Sequence, residues 1–151
     1  MKVAVLMGSP SDGAVMKACE DGLAHFGIPY ETHVMSAHRS PDQVAEFAKA
    51  AQSAGFDLII AGAGMAAHLP GVIAAYTILP VIGVPLEGSA LGGLDALYSI
   101  VQMPAGIPVA TVAIGKSGAK NAAVLAAELL ALKYPEIKEK LLEFRKSGAK
   151  F

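Results

Sequence analysis

Apolar residues follow two rhythms along this chain. Short runs come first: "KVAVLM" (2–7), "YETHVM" (30–35), "DLIIAGAG" (57–64), "PVIGVP" (80–85) and "VATVAI" (109–114). Between them lie stretches where apolar positions recur every three or four residues. Val15, Cys19, Leu23 and Phe26 fall on one face of a helix predicted from about Asp12 to Phe26 and stopped by Gly27. "SPDQ" (40–43) opens a second helix, with Ser40 as N-cap, Pro41 in the first position and Gln43 completing a capping box; Gly55 closes it. Further helices are predicted near 93–103, 118–133 and 135–147. Between Gly64 and Pro80 no helix is predicted, because His68 and Pro70 break the pattern.

Strands alternating with helices predict an α/β fold, a doubly wound parallel sheet in one domain spanning residues 1–151 with helices at its C-terminal end. The third strand is apolar throughout, as a strand covered on both faces must be. Leu58 to Leu86 contains no Asp, Glu, Lys or Arg, but three prolines, His68 and four glycines divide it into pieces too short for the roughly 20-residue span of a membrane helix. The first apolar run is likewise too short for a signal sequence.

Composition adds three constraints. A net charge of −1 and an isoelectric point near 6.4 provide no basic surface for nucleic acid or anionic membrane. The single cysteine, Cys19, lies on a core face and has no partner for an internal disulfide, which fits a reducing cytoplasm. With 17% charged residues and a mean hydropathy of +0.50, the chain has little polar surface for a monomer. "AAVLAAELLALKY" is apolar almost all round, so a homo-oligomer that buries helices between subunits is expected.

In a doubly wound sheet, ligands sit beyond the carboxyl ends of the strands. Three loops there should converge. "GSPSD" (8–12) combines small residues with a helix start, where free N–H groups favour anions; Ser9 and Ser11 offer hydroxyls and Asp12 an acceptor. A turn capped by Ser11 or Asp12 accounts for the same residues, and both readings stay open. "SAHRS" (36–40) sets His38 beside Arg39. Imidazole gives and takes protons near neutrality and guanidinium grips phosphate, although a solvated surface loop has the same composition. His25, in the last turn of the first helix, and His33, within a strand, read as structural, and no metal-ligand spacing occurs.

Two further motifs are partial. Gly62, Gly64 and Ala67, with Glu87 twenty residues on, match the dinucleotide fingerprint of an NAD-linked oxidoreductase, but after the third strand rather than the first. "GKS" (115–117) imitates a phosphate loop whose upstream glycine is Ala110, and it is rejected.

Taken together, "MGSPSD", "SAHRSPD", "AGAGMAAHLPGVIAA", "LPVIGVP", "SIVQMPAGIPVATVAIG" and "AKNAAVLAA" resemble the N5-carboxyaminoimidazole ribonucleotide mutases of bacterial purine biosynthesis (the PurE family, class I), from about Lys2 to Tyr134. The resemblance implies a three-layer flavodoxin-like fold, an octamer and a cytoplasmic isomerase that uses neither metal nor organic cofactor. It implies that His38 is the general acid–base group and that Ser9, Asp12 and Arg39 hold the ribose phosphate. Ser36 and the third loop, with Gly62, Ala63, Gly64, His68 and Leu69, are implied to bind around the imidazole ring. The related enzymes that carboxylate aminoimidazole ribonucleotide directly with CO2 are the alternative; "AAHLPG" resembles the mutase form of that loop. Two positions depart from the family pattern: Met65 replaces a usual glycine, and Gly13 replaces a larger residue.

Overall fold

A computed structural model describes every residue from Met1 to Phe151. Five parallel strands form one sheet: β1 (Val3–Met7), β2 (Tyr30–Val34), β3 (Leu58–Gly64), β4 (Val81–Leu86) and β5 (Ala110–Thr111), in the order β2-β1-β3-β4-β5. Six helices cover it: α1 (Gly13–His25), α2 (Pro41–Ala50), α3 (Leu69–Tyr76), α4 (Leu94–Val101), α5 (Gly115–Ala131) and α6 (Pro135–Lys146). This is the flavodoxin-like order, and the chain reverses its direction of winding between β1 and β3. No helix is long and apolar enough to cross a membrane.

The two-sided burial of the central strands explains their continuous apolar runs. Val3, Val5, Met7, Leu58 and Ile60 pack under α1, α5 and α6, while Ala4, Leu6, Ile59 and Ala61 pack under α2, α3 and α4. On the first side two helices meet through small residues. A Cβ at Gly22 would lie 2.7 Å from that of Ala123, and Ala119, Ala122, Ala126 and Ala127 are fully buried. Cys19 is buried in the same layer, which pushes its thiol pKa up to about 12 and leaves it inert.

Several expectations need correction. A helix, α3, does form between Gly64 and Pro80. Pro70 sits in its first turn, where a missing N–H costs no hydrogen bond, so the proline starts this helix instead of breaking it. The fifth strand shrinks to two residues, Ala110 and Thr111, paired with Ile82 and Gly83 of β4, and α5 begins three residues earlier than predicted, at Gly115. Within one subunit Val124, Leu125 and Leu129 of α5 are half-buried and Glu128 is exposed, so the all-round burial its apolar pattern suggests is not made inside the single chain. The capping box at Ser40 and Gln43 is absent, since the Ser40 hydroxyl donates to the Ser36 carbonyl (3.1 Å) and accepts from the Ser36 N–H (3.2 Å).

Asp57, at the entrance to β3, ties the N-terminus to the α5–α6 junction. It accepts from the Lys2 N–H at 3.0 Å, the Tyr134 hydroxyl at 2.9 Å and the Lys133 ammonium at 3.3 Å. Burial works to raise its pKa, but these donors together outweigh burial and hold the carboxyl below the usual aspartate range. A depressed carboxylate contributes stability above its unfolded value, about 4, and loses it as pH falls through the folded value. Asp57→Asn is therefore expected to lower unfolding free energy by about 1–3 kcal/mol at pH 7 and to flatten the acid limb of the stability curve. Urea titrations of both proteins between pH 7 and pH 2 measure both effects.

Candidate active site

Loops leaving the carboxyl ends of β1, β2, β3 and β4 enclose a cleft of about 530 Å³. It opens over the β1–β3 switch point, where the diverging connections leave space. After β1, Ser9 caps a 3₁₀ turn at Pro10–Asp12; its hydroxyl accepts from the Ser11 N–H (3.3 Å), while the Asp12 carboxylate accepts from the Ser9 N–H (2.9 Å). Ser9, rather than Ser11 or Asp12, is thus the side chain that caps. Partial burial raises the Asp12 pKa, and the N–H groups of Ser9 and Gly8 offset that only in part.

After β2, the Ser36 hydroxyl accepts from the N–H groups of His38 (3.3 Å) and Arg39 (3.2 Å), closing a turn that turns both side chains toward the cleft. Arg39 is exposed and makes no ion pair within the chain, so its guanidinium is available to an anion. The loop after β3 brings His68 to the start of α3. There, His38 Nε2 and His68 Nδ1 are 2.8 Å apart, with the rings edge to face at 83°.

His38, Ser9, Asp12, Ser36, Arg39, Ala63, Gly64, His68 and Leu69 all line the cleft. Gly62 does not. It shares the face of Gly64 but lies two residues deeper in β3, beneath Met16, whose sulfur occupies the space a Cβ would need. Its absence from the cleft removes the first glycine of the dinucleotide fingerprint, and Ala67 is buried in the core. His25 lies away from the cleft against Phe26, Phe144 and Phe151, and His33 packs on Phe47 with ring centroids 4.7 Å apart.

The family described as AIR carboxylase matches residues 2–150. The chain belongs to the AIR carboxylase family. Within it, the chain is 60% identical over 144 residues to the N5-carboxyaminoimidazole ribonucleotide mutase of Pyrococcus horikoshii, covering 95% of this chain and 80% of that one. It is 53% identical over 146 residues to the mutase of Escherichia coli, covering 97% and 86%. Among solved structures, Treponema denticola PurE superposes with a TM-score of 0.86 at 32% identity, covering 98% of this chain and 91% of that one.

The cleft has further lining, part of it from residues that the sequence singles out for other reasons (Ser11, Met65 and Glu87). Gly8, Ser11, Ala37, Met65, Ala66, Glu87 and Gly88 also line it. Glu87, named in the sequence as the acidic residue of the dinucleotide fingerprint, follows β4, the strand beside β3, which places it at the mouth; its carboxylate lies against Gly115 at the start of α5. Met65 has φ of 56° and is 62% exposed, a left-handed backbone that glycine adopts freely and a side-chain-bearing residue adopts under strain. Met65→Gly is expected to raise unfolding free energy by about 1 kcal/mol, read as a higher urea midpoint at unchanged slope.

Proposed function

We propose that residues 1–151 form one mutase domain that converts N5-carboxyaminoimidazole ribonucleotide to 4-carboxy-5-aminoimidazole ribonucleotide in purine biosynthesis, with neither metal nor organic cofactor. The observation that carries this reading is the cleft itself, where His38 and Arg39, neighbours in sequence, both face one space. Arg39 takes the phosphate with a planar fork of donors. The Ser9 hydroxyl adds a hydrogen bond, and Asp12 keeps acceptor capacity for a ribose hydroxyl. Ser36, Ala63, Gly64, His68 and Leu69 shape the end that holds the imidazole ring.

The chemistry then needs one proton carrier. Breaking the nitrogen–carboxylate bond releases CO2 and returns an electron pair to nitrogen, which takes a proton from the His38 imidazolium. CO2, held in the cleft, is attacked by ring carbon C4 of the same molecule, and intramolecular capture replaces a dilute bimolecular encounter. Neutral His38 then removes the C4 proton, restoring aromaticity. It ends protonated, as it began, so the cycle closes with no net proton change.

Purified enzyme given N5-carboxyaminoimidazole ribonucleotide should form product directly. Faster turnover of aminoimidazole ribonucleotide plus bicarbonate would instead establish the CO2-dependent carboxylase, the second reading. Arg39→Ala is expected to raise KM by about 10- to 100-fold with kcat changed far less, since it removes a charge-assisted contact to a remote group; initial-rate kinetics separate the two.

The reading extends to a cytoplasmic homo-octamer. Leu94, Tyr98 and Val101 form an exposed apolar stripe on α4, with Leu91 just before it and Ile78 exposed after α3. Apolar area of this kind supports burial between copies. Light scattering should give a mass eight times 15.4 kDa.

A further inference from the structure

We propose that His68 is a positioning residue for the carboxyl transfer, holding the His38 ring and fixing which of its nitrogens carries the proton. The proposal rests on the acid–base role given to His38 above.

His38 stands on an exposed turn, and its ring has one hydrogen-bond partner in the chain, His68. His68 is exposed as well, but it sits at the N-cap of α3, a helix anchored by buried Leu69, Pro70 and Ile73. Its side chain makes no capping hydrogen bond, so the ring is free to serve His38. A histidine carried at the start of an anchored helix therefore steadies one carried on a turn.

The pair at 2.8 Å shares a single hydrogen. When both rings are neutral, one of the two facing nitrogens bears it and the other is bare, so the tautomer of one ring dictates that of the other. With the hydrogen on His38 Nε2, its Nδ1 is the bare nitrogen, ready to accept the C4 proton. Once His38 is an imidazolium both its nitrogens are donors; Nε2–H then gives to His68 Nδ1 and Nδ1–H is the one left for the departing amine. In both halves of the reaction His68 leaves the same atom, His38 Nδ1, to face the substrate. An unheld imidazole would divide between tautomers and orientations, and only part of that population would be competent.

Three variants and one spectroscopic measurement test this. His68→Phe keeps ring area and loses the nitrogen; it is expected to lower kcat about 100-fold with KM within about threefold. His68→Asn places an amide near the former Nδ1 and should recover most of that loss. In ¹⁵N spectra of ring-labelled protein, His38 should show one neutral tautomer in the wild type and a mixture in His68→Phe. If His68→Phe does not fold, His68→Ala takes its place in the comparison.

Full kcat in His68→Phe, an equal loss with raised KM in both His68 variants, or unaltered His38 resonances would each overturn the proposal. His38→Asn separates the two layers of the argument. Turnover in that variant would remove the acid–base reading and this inference with it. Inactive His38→Asn beside fully active His68→Phe would remove the positioning role alone.

Discussion

His38→Asn is expected to lose at least about 10³-fold in turnover while binding nucleotide within a few-fold of wild type, because a side chain that neither gives nor takes a proton replaces one that does both. Asparagine is close to histidine in reach and polarity. It can keep the hydrogen bond toward His68, and it leaves untouched Arg39 and Ser9, the groups assigned to the phosphate end. What it removes acts twice in series, in protonating the departing nitrogen and in deprotonating C4. Water in the cleft can replace either function only weakly, so the slower step governs the loss. Single-turnover conversion and equilibrium binding, measured on the same preparation, separate chemistry from affinity. A conversion rate within tenfold of wild type would take His38 out of the mechanism.

The arrangement behind that prediction was partly visible in the chain and partly not. The strands were legible because β1, β3 and β4 are covered on both faces, which forces apolar residues at successive positions. Loop content then pointed to one crevice, since the fold directs those loops to one end of the sheet. Contacts made by folding back were not legible. Ser40 has the identity and spacing of an N-cap, yet its hydroxyl closes the Ser36 turn, where a local donor and acceptor compete for it. The His38–His68 bond joins residues 30 apart, from loops after β2 and β3, strands that are not neighbours in the sheet but flank β1. Pro70 misled in the opposite direction: the same ring that ends a helix from within begins one at its first turn. Gly62 looked like part of the mouth because spacing along β3 does not reveal that Met16 covers it.

Gly118→Ala is expected to destabilise the protein by about 2–4 kcal/mol, against a helix-propensity gain of about 1 kcal/mol that alone would make it stabilising. Gly118 lies in the first turn and a half of α5, where the Ala113 carbonyl occupies the place that a Cβ on Gly118 would take. A Cβ there would fall inside the van der Waals envelope of that oxygen. The obstacle is backbone, so no rotamer relieves it, and the start of α5 must move away from the strand end it follows. Gly115 and Glu87 lie at that same junction, and Glu87 lines the cleft, so the displacement should also lower activity. Gly13→Ala is the matching control: Gly13 is the first residue of α1 with φ of −56°, and a Cβ would meet Met7 Sδ at an ordinary 3.8 Å. Propensity is then unopposed and the urea midpoint should rise. The same chemical change therefore has opposite signs at two helix starts, and equal midpoints for the two variants would mean that the Ala113 contact relaxes without cost.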